Sequence, residues 1–283
     1  MAETNSTENK DTVYLVGSFF NFRSEMIQAL PNVNFIDARK NRQSRMSATN
    51  EDDLYSAIHS PLTLAVFPKG KTPGVMTFVE IGASYFSGND LIVVDECGLN
   101  MPFLKEISKE YLSSIDDAID YMKSYNVPDK KPELFKENLN RIGTIYFCGN
   151  TDYGLQVVHE LASKLRPDKE YIMKSENIMD DVKKIDKFDL MAVHFPKNIP
   201  IDRESCFMMG GAVARYIPII EKAEDVFPYS PLVGGLQRRL VNDLLGMLYY
   251  IVNVDNASLF AQEGFPSEPE MMYGFFKKFG DKG

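Results

Sequence analysis

The chain has 283 residues, 44% of them hydrophobic and 25% charged, with a formal net charge of −9. That length suits one large domain or two of ordinary size, and the balance is that of a soluble globular protein. An acidic chain without a Lys/Arg cluster argues against a nucleic-acid surface, because a phosphate backbone is held by clustered cations. It leaves a small phosphorylated ligand open, since that needs only a local pocket.

Residues 1–10 are polar and acidic and are expected to form a disordered tail, not a signal peptide. Thr12–Phe20, TVYLVGSFF, reads as an apolar strand ended by Gly17. Phe22, Met26 and Leu30 follow at four-residue spacing, which predicts a helix. Asp37 closes a further strand in FIDARK, and Leu62–Phe67 is an apolar strand stopped by Pro68. Then comes the most informative stretch, PGVMTFVEIGASYFSGNDLIVVDE, Pro73–Glu96. It places Glu80 two residues before Gly82, at or near the start of a helix, with the strand Leu91–Val94 behind it. In an open α/β sheet that order puts Glu80 near the carboxyl ends of the strands, where ligands bind. A carboxylate there can serve as nucleophile or general base. Leu104–Tyr125 reads as one long helix. Residues 128–140, with two prolines and many charges, read as a linker.

After the linker the pattern repeats. TIYFCGNTD, Thr144–Asp152, matches the opening strand, so Tyr146 and Gly149 stand for Tyr14 and Gly17. MAVHFPKN matches LAVFPKG, and CFMMGGAV matches FVEIGASY. Phe67 and Phe195, Glu80 and Met208, and Gly82 and Gly210 are each 128 residues apart (208 − 80 for the middle pair). Leu155, Val158, Leu161 and Leu165 form a helical stripe, and Leu236, Leu240, Leu244 and Leu248 line one face of a closing helix over Leu232–Val252. Strands alternating with helices predict parallel sheets covered on both faces. The expected fold is two tandem α/β domains of the flavodoxin or Rossmann-like, doubly wound kind, at 11–127 and 141–254. Residues 255–283, with Met271, Met272, Tyr273, Phe275 and Phe276, read as a docking segment.

Other chemistries are set aside. Arg238, Arg239 and Asp243 interrupt the most apolar helix too often for a membrane span. Cys97, Cys148 and Cys206 lie far apart without CxxC pairing, which fits a reducing, cytoplasmic setting and no metal site. His59, His159 and His194 show no ligand spacing. No dinucleotide fingerprint or P-loop is present, so no cofactor is expected.

The segment Thr77-x-x-Glu80-Ile81-Gly82-Ala83, in its strand–helix–strand setting and with the Tyr14/Gly17 opening strand, resembles the nucleoside 2-deoxyribosyltransferase family. IYFCGN in the second half is similar to the deoxynucleoside monophosphate N-glycosidase branch. The resemblance covers both halves. It implies cleavage or exchange of an N-glycosidic bond in a nucleoside or nucleotide, with Glu80 attacking the anomeric carbon to give a covalent glycosyl-enzyme. The physics is that of retaining glycoside hydrolysis, where a carboxylate meets an oxocarbenium-like transition state. It also implies that Tyr14, Gly17, Thr77 and Gly82 frame the pocket and that Phe19 offers an aromatic wall. The family's aspartate precedes the second core strand. That position is Pro61 in the first half and Asp189 in the second. Each half therefore keeps one member of the pair, and Asp37 is the substitute acid expected in the first, ahead of Asp52 and Asp53. The second half, with a thioether at Met208, reads as a degenerate copy whose pocket is marked by Tyr146, Gly149 and Asp189. Family members complete each site from a neighbouring subunit. A fused tandem can make that contact internally as a pseudo-dimer, with further homo-oligomers open. The alternative is a catalytically impaired nucleoside- or nucleotide-binding protein, a sensor or scaffold.

Overall fold

The computed structural model describes residues 12–17, 22–38, 46–128, 141–150, 153–223, 239–241 and 243–255. The expected tail at 1–10, most of the linker, the docking segment and Phe19 lie outside these. The chain separates into two compact units, with the division between residues 134 and 135.

In the first unit β1 (Thr12–Gly17), α1 (Phe22–Ala29), β2 (Asn34–Asp37), α2 (Met46–His59), β3 (Leu62–Phe67), α3 (Val75–Phe86) and β4 (Asp90–Asp95) alternate in chain order. They are followed by α4 (Pro102–Ile107), β5 (Glu110–Leu112) and α5 (Ile115–Ser124). All strand pairs are parallel, in the order β2-β1-β3-β4-β5. This is the flavodoxin-like order, whose topological switch point lies between β1 and β3. β3 is buried along its whole length, as a central strand covered on both faces must be. Alternation along β1 and β3 sends Val13, Leu15, Leu62, Leu64 and Val66 into one core with Phe22, Met26, Ala118 and Ile119 of α1 and α5. Tyr14 and Thr63, in register with each other, face the other side, where Ser84 of α3 donates a hydrogen bond to Thr63 at 2.8 Å.

The second unit repeats the plan with β6 (Thr144–Gly149), α6 (Tyr153–Leu165), β7 (Glu170–Met173), α7 (Ile178–Val182), β8 (Leu190–Phe195) and α8 (Arg203–Ala214). β9 (Ile219–Ala223), β10 (Arg239–Leu240) and α9 (Leu244–Asn253) follow. Its parallel sheet runs β10-β9-β8-β6-β7, the same order. Two doubly wound parallel α/β units are thus present. No helix among the described residues is long and apolar enough to cross a membrane.

Three expectations are corrected. The single helix over Leu104–Tyr125 is two helices with β5 between them. Ser114 caps α5 by accepting from the Asp117 amide at 3.1 Å, and Tyr111 of β5 donates to Asp95 at 2.5 Å, holding that segment on the sheet edge. Within the described part of Leu232–Val252 the helix starts at Leu244, where Asp243 caps it (Gly246 N–H to Oδ1, 2.7 Å), while Arg239–Leu240 pair with β9. In α6 the buried face is Leu155, Val158 and Ala162; Leu161 and Leu165 turn to solvent. A further helix, α2, carries too much polar sequence for its hydrophobic pattern to mark it.

Each opening strand ends in a glycine for a steric reason. Gly17 has φ 130°, and an added Cβ would lie 2.2 Å from the Val66 carbonyl oxygen; Gly149 has φ 109°, with the His194 carbonyl at 2.1 Å. Backbone cannot retreat from such a contact as a side chain does. Gly17→Ala and Gly149→Ala are each expected to destabilise their own unit by about 3 kcal/mol, measurable by urea unfolding.

Candidate active site

The site is built at the β1/β3 switch point. Tyr14, in the middle of β1, donates a 3.0 Å hydrogen bond from its hydroxyl to Oε1 of Glu80 across a buried gap. Glu80 is the sixth residue of α3, so it stands in the second helical turn and not at the helix start. It is carried on the helix face that packs against the sheet: Met76, Phe78, Val79, Ile81 and Ala83 around it are buried, and Phe78 stacks on Phe67 of β3 at 5.6 Å. Thr77 and Gly82 are buried on the same helix. Gly17 closes β1.

Burial drives the electrostatics. Loss of solvent, followed by the charge of Asp53, pushes the Glu80 carboxyl from 4.5 up to about 8, against the opposing pull of the Tyr14 hydrogen bond and the Arg23 charge. Burial, then Glu80 and Asp53, also holds the Tyr14 phenol well above its ordinary value. Asp53 is a buried residue of α2, the helix packed against α3. Two carboxyls, a phenol and a guanidinium therefore act on one another here, and Glu80 mostly keeps its proton at neutral pH.

Asp37 is placed elsewhere in the sheet. It stands in register with Leu15, on the sheet face opposite Tyr14, and its Oδ1 takes a 3.1 Å ion pair from buried Arg23. Arg23 also donates to the carbonyls of Leu15 at 2.7 Å and Gly17 at 2.8 Å. The carboxyl whose charge bears on Glu80 is Asp53. The sequence offered a signal for it, because Asp53 and Asp181 are separated by the same 128 residues as the other anchors (181 − 53).

The second unit shows what becomes of the pocket without the glutamate. Met208 is buried at the position of Glu80. Tyr146 donates instead to Asp181, at 2.8 Å, and stacks flat on Phe188 at 4.5 Å. Asp181 also accepts from the Ser175 amide at 2.8 Å and the Ser175 hydroxyl at 2.6 Å. Ser205, the counterpart of Thr77, accepts from the Gly149 amide at 2.7 Å and bonds Asp202, which pairs with Lys174 at 2.8 Å. These polar groups bond one another.

Asp189 accepts from the amides of Gly143 and Thr144, both at 2.9 Å. It therefore ties down the amino-terminal edge of the second sheet, the edge opposite Gly149. By the same register Pro61 lies at the amino-terminal edge of the first, where its carbonyl accepts from Asp90. Neither position is brought to the Tyr14–Glu80 pair or to Tyr146's hydroxyl partner. Among the described residues no group of His, Cys, Asp or Glu is arranged to hold a metal ion. No protein-family model and no curated protein matches the chain.

Proposed function

We propose that the first unit is a nucleoside 2-deoxyribosyltransferase-like enzyme that cleaves or exchanges the N-glycosidic bond of a nucleoside or nucleotide in the cytoplasm. The observation that carries this reading is the buried Tyr14–Glu80 hydrogen bond at the β1/β3 switch point, with the charge of Asp53 beside it. In the reaction a Glu80 carboxylate oxygen bonds to C1′ as the C1′–N bond breaks. The bonding pair leaves with the base, which takes up a proton. That proton comes from solvent, relayed by the neighbouring carboxylate of Asp53. Water or a second base then attacks C1′, releasing the carboxylate. Tyr14 holds the attacking carboxyl in one rotamer and stabilises its anion. The second unit carries Met208 at the matching position, and a thioether cannot form the glycosyl ester.

The test is incubation with each deoxynucleoside and its monophosphate, with and without an acceptor base, followed by chromatography for free or exchanged base. Mass spectrometry of the quenched protein is expected to show a glycosyl adduct on the peptide carrying Glu80. Turnover that persists in Glu80→Ala defeats this mechanism.

One observation favours the second reading, a binding protein without turnover. A carboxyl titrating near 8 is mostly neutral at pH 7 and then recognises a ligand as a hydrogen-bond donor. Saturable nucleoside binding without released base, retained in Glu80→Gln, is the result expected of that reading.

A further inference from the structure

Arg23 and Asp37 form a buried ion pair that the glycosyl-transfer reading does not use. Their charge is costly to bury, because desolvation of both ions must be offset by good geometry and by further hydrogen bonds. The fold itself does not require them. Asp37 ends β2 in register with Leu15, and Met173 ends β7 in register with Phe147, the Leu15 counterpart. Arg23 lies six residues beyond Gly17 (23 − 17), and Leu155 lies six beyond Gly149 (155 − 149). Both are buried on the helix after the first strand. The half with Glu80, Arg23 and Asp37 is thus matched by a half with Met208, Leu155 and Met173. Three charged residues are replaced together, while Tyr14/Tyr146, Asp53/Asp181 and the strand-ending glycines stay.

The carbonyls of the two opening strands also differ in their side-chain partners, the first unit's being held by Arg23. In the second unit the Phe147 carbonyl accepts from the Lys174 amide at 2.8 Å, an ordinary continuation of the parallel ladder. In the first unit the equivalent Leu15 carbonyl accepts from the Arg23 guanidinium, which also holds the Gly17 carbonyl two residues on. A buried side-chain cation thus holds the carbonyl of the residue next to Tyr14.

We propose that Arg23 is a positioning residue for Glu80: it fixes the carboxyl end of β1, and with it Tyr14, and it brings a positive charge to the Tyr14–Glu80 pair that Asp37 moderates. The titratable and charged groups acting on Glu80 are then Tyr14 from β1, Arg23 from α1 and Asp53 from α2. Arg23 favours the anionic carboxyl, and Asp53 favours the neutral one. Asp37 acts through Arg23 and touches neither Tyr14 nor the reacting atoms. The assignment rests on the role given to Glu80, but its test does not depend on turnover.

The test is a carbon-13 NMR titration of the Glu80 carboxyl in protein labelled on glutamate, with Glu80→Gln to assign the resonance. Arg23→Met is expected to move the midpoint upward by about one pH unit, and Arg23→Lys to restore most of it. Asp37→Asn is expected to move it the other way, because it unmasks the guanidinium. Opposite shifts from the two members of one ion pair are not produced by loss of packing. An unmoved midpoint in Asp37→Asn, or a shift in the same direction as Arg23→Met, overturns the proposal. If Arg23→Met does not fold, Asp37→Asn decides alone: a downward shift supports the proposal. Opposite shifts in a protein without glycosidic turnover defeat the catalytic reading and leave the positioning role standing.

Discussion

Glu80→Gln is expected to lower kcat/KM for N-glycosidic cleavage by about 10⁴-fold or more, since an amide cannot form the glycosyl ester and no other group carries the covalent step. The substitution keeps the size of the side chain and a partner for the Tyr14 hydroxyl, so the loss is chemical and not structural. The wild-type pH profile makes the sign testable. With Glu80 titrating at about 8, roughly one tenth of the protein carries the nucleophilic anion at pH 7. kcat/KM in free enzyme is therefore expected to rise nearly tenfold per pH unit below 7 and to level off above about 8.5. A profile that falls through pH 8 identifies Glu80 as the proton donor and removes it as nucleophile. Phosphorylated and unphosphorylated substrates run in parallel separate this limb from ionisation of the substrate's own phosphate.

How much of this was legible in the sequence depends on what kind of signal each residue leaves. Glu80 was legible because a lone carboxylate in an apolar helix between two apolar strands has few structural uses, and the Met208 counterpart shows that the fold stands without it. Its depth in α3 was not legible, because the start of that helix at Val75 follows Gly74 with no side-chain cap to mark it. β5 was missed for a related reason: three residues, Glu110–Leu112, alternate too briefly to interrupt a helical pattern, and only pairing with β4 makes them a strand. Asp37 and Asp53 exchanged importance because strand-end position alone does not tell which sheet face a side chain takes. Register with Leu15 sends Asp37 away from Tyr14, whereas Asp53 arrives on a helix whose polar sequence hides its packing against α3. Arg23 was invisible to a search for catalytic types, yet its spacing from Gly17 and the leucine at the matching position could be read from the repeat.

The largest expected stability effect lies in the second unit, at Glu221. It occupies the position in β9 that Val93 occupies in β4, opposite Val193 as Val93 is opposite Ala65. It is 1% exposed, its Oε2 has no hydrogen-bond partner among the described residues, and burial pushes its carboxyl from 4.5 up to about 8. Because the folded value lies above the unfolded one, the native state holds the proton more tightly. Below pH 4.5 both states are protonated and the carboxyl carries no ionisation penalty. Between 4.5 and 8 the unfolded chain gives up its proton while the native chain keeps it, so stability falls by about 1.4 kcal/mol per pH unit and then levels off. The accumulated loss is on the order of 5 kcal/mol. Glu221→Val removes that slope, so the gap between variant and wild type is expected to open from near pH 4.5 to pH 8 in urea unfolding of the second unit. Glu80→Gln is expected to remove the matching slope from the first unit, since Glu80 shifts in the same direction over the same window. Parallel stability curves for Glu221→Val and wild type across that window would mean that the folded protein already solvates or pairs this carboxylate. Among the described residues, Tyr14, Asp53 and Arg23 act on the buried carboxyl of Glu80, whereas burial alone shifts that of Glu221. A buried acid set among such groups is equipped for proton and bond exchange, and one shifted by burial alone is a cost that the second unit carries in its core.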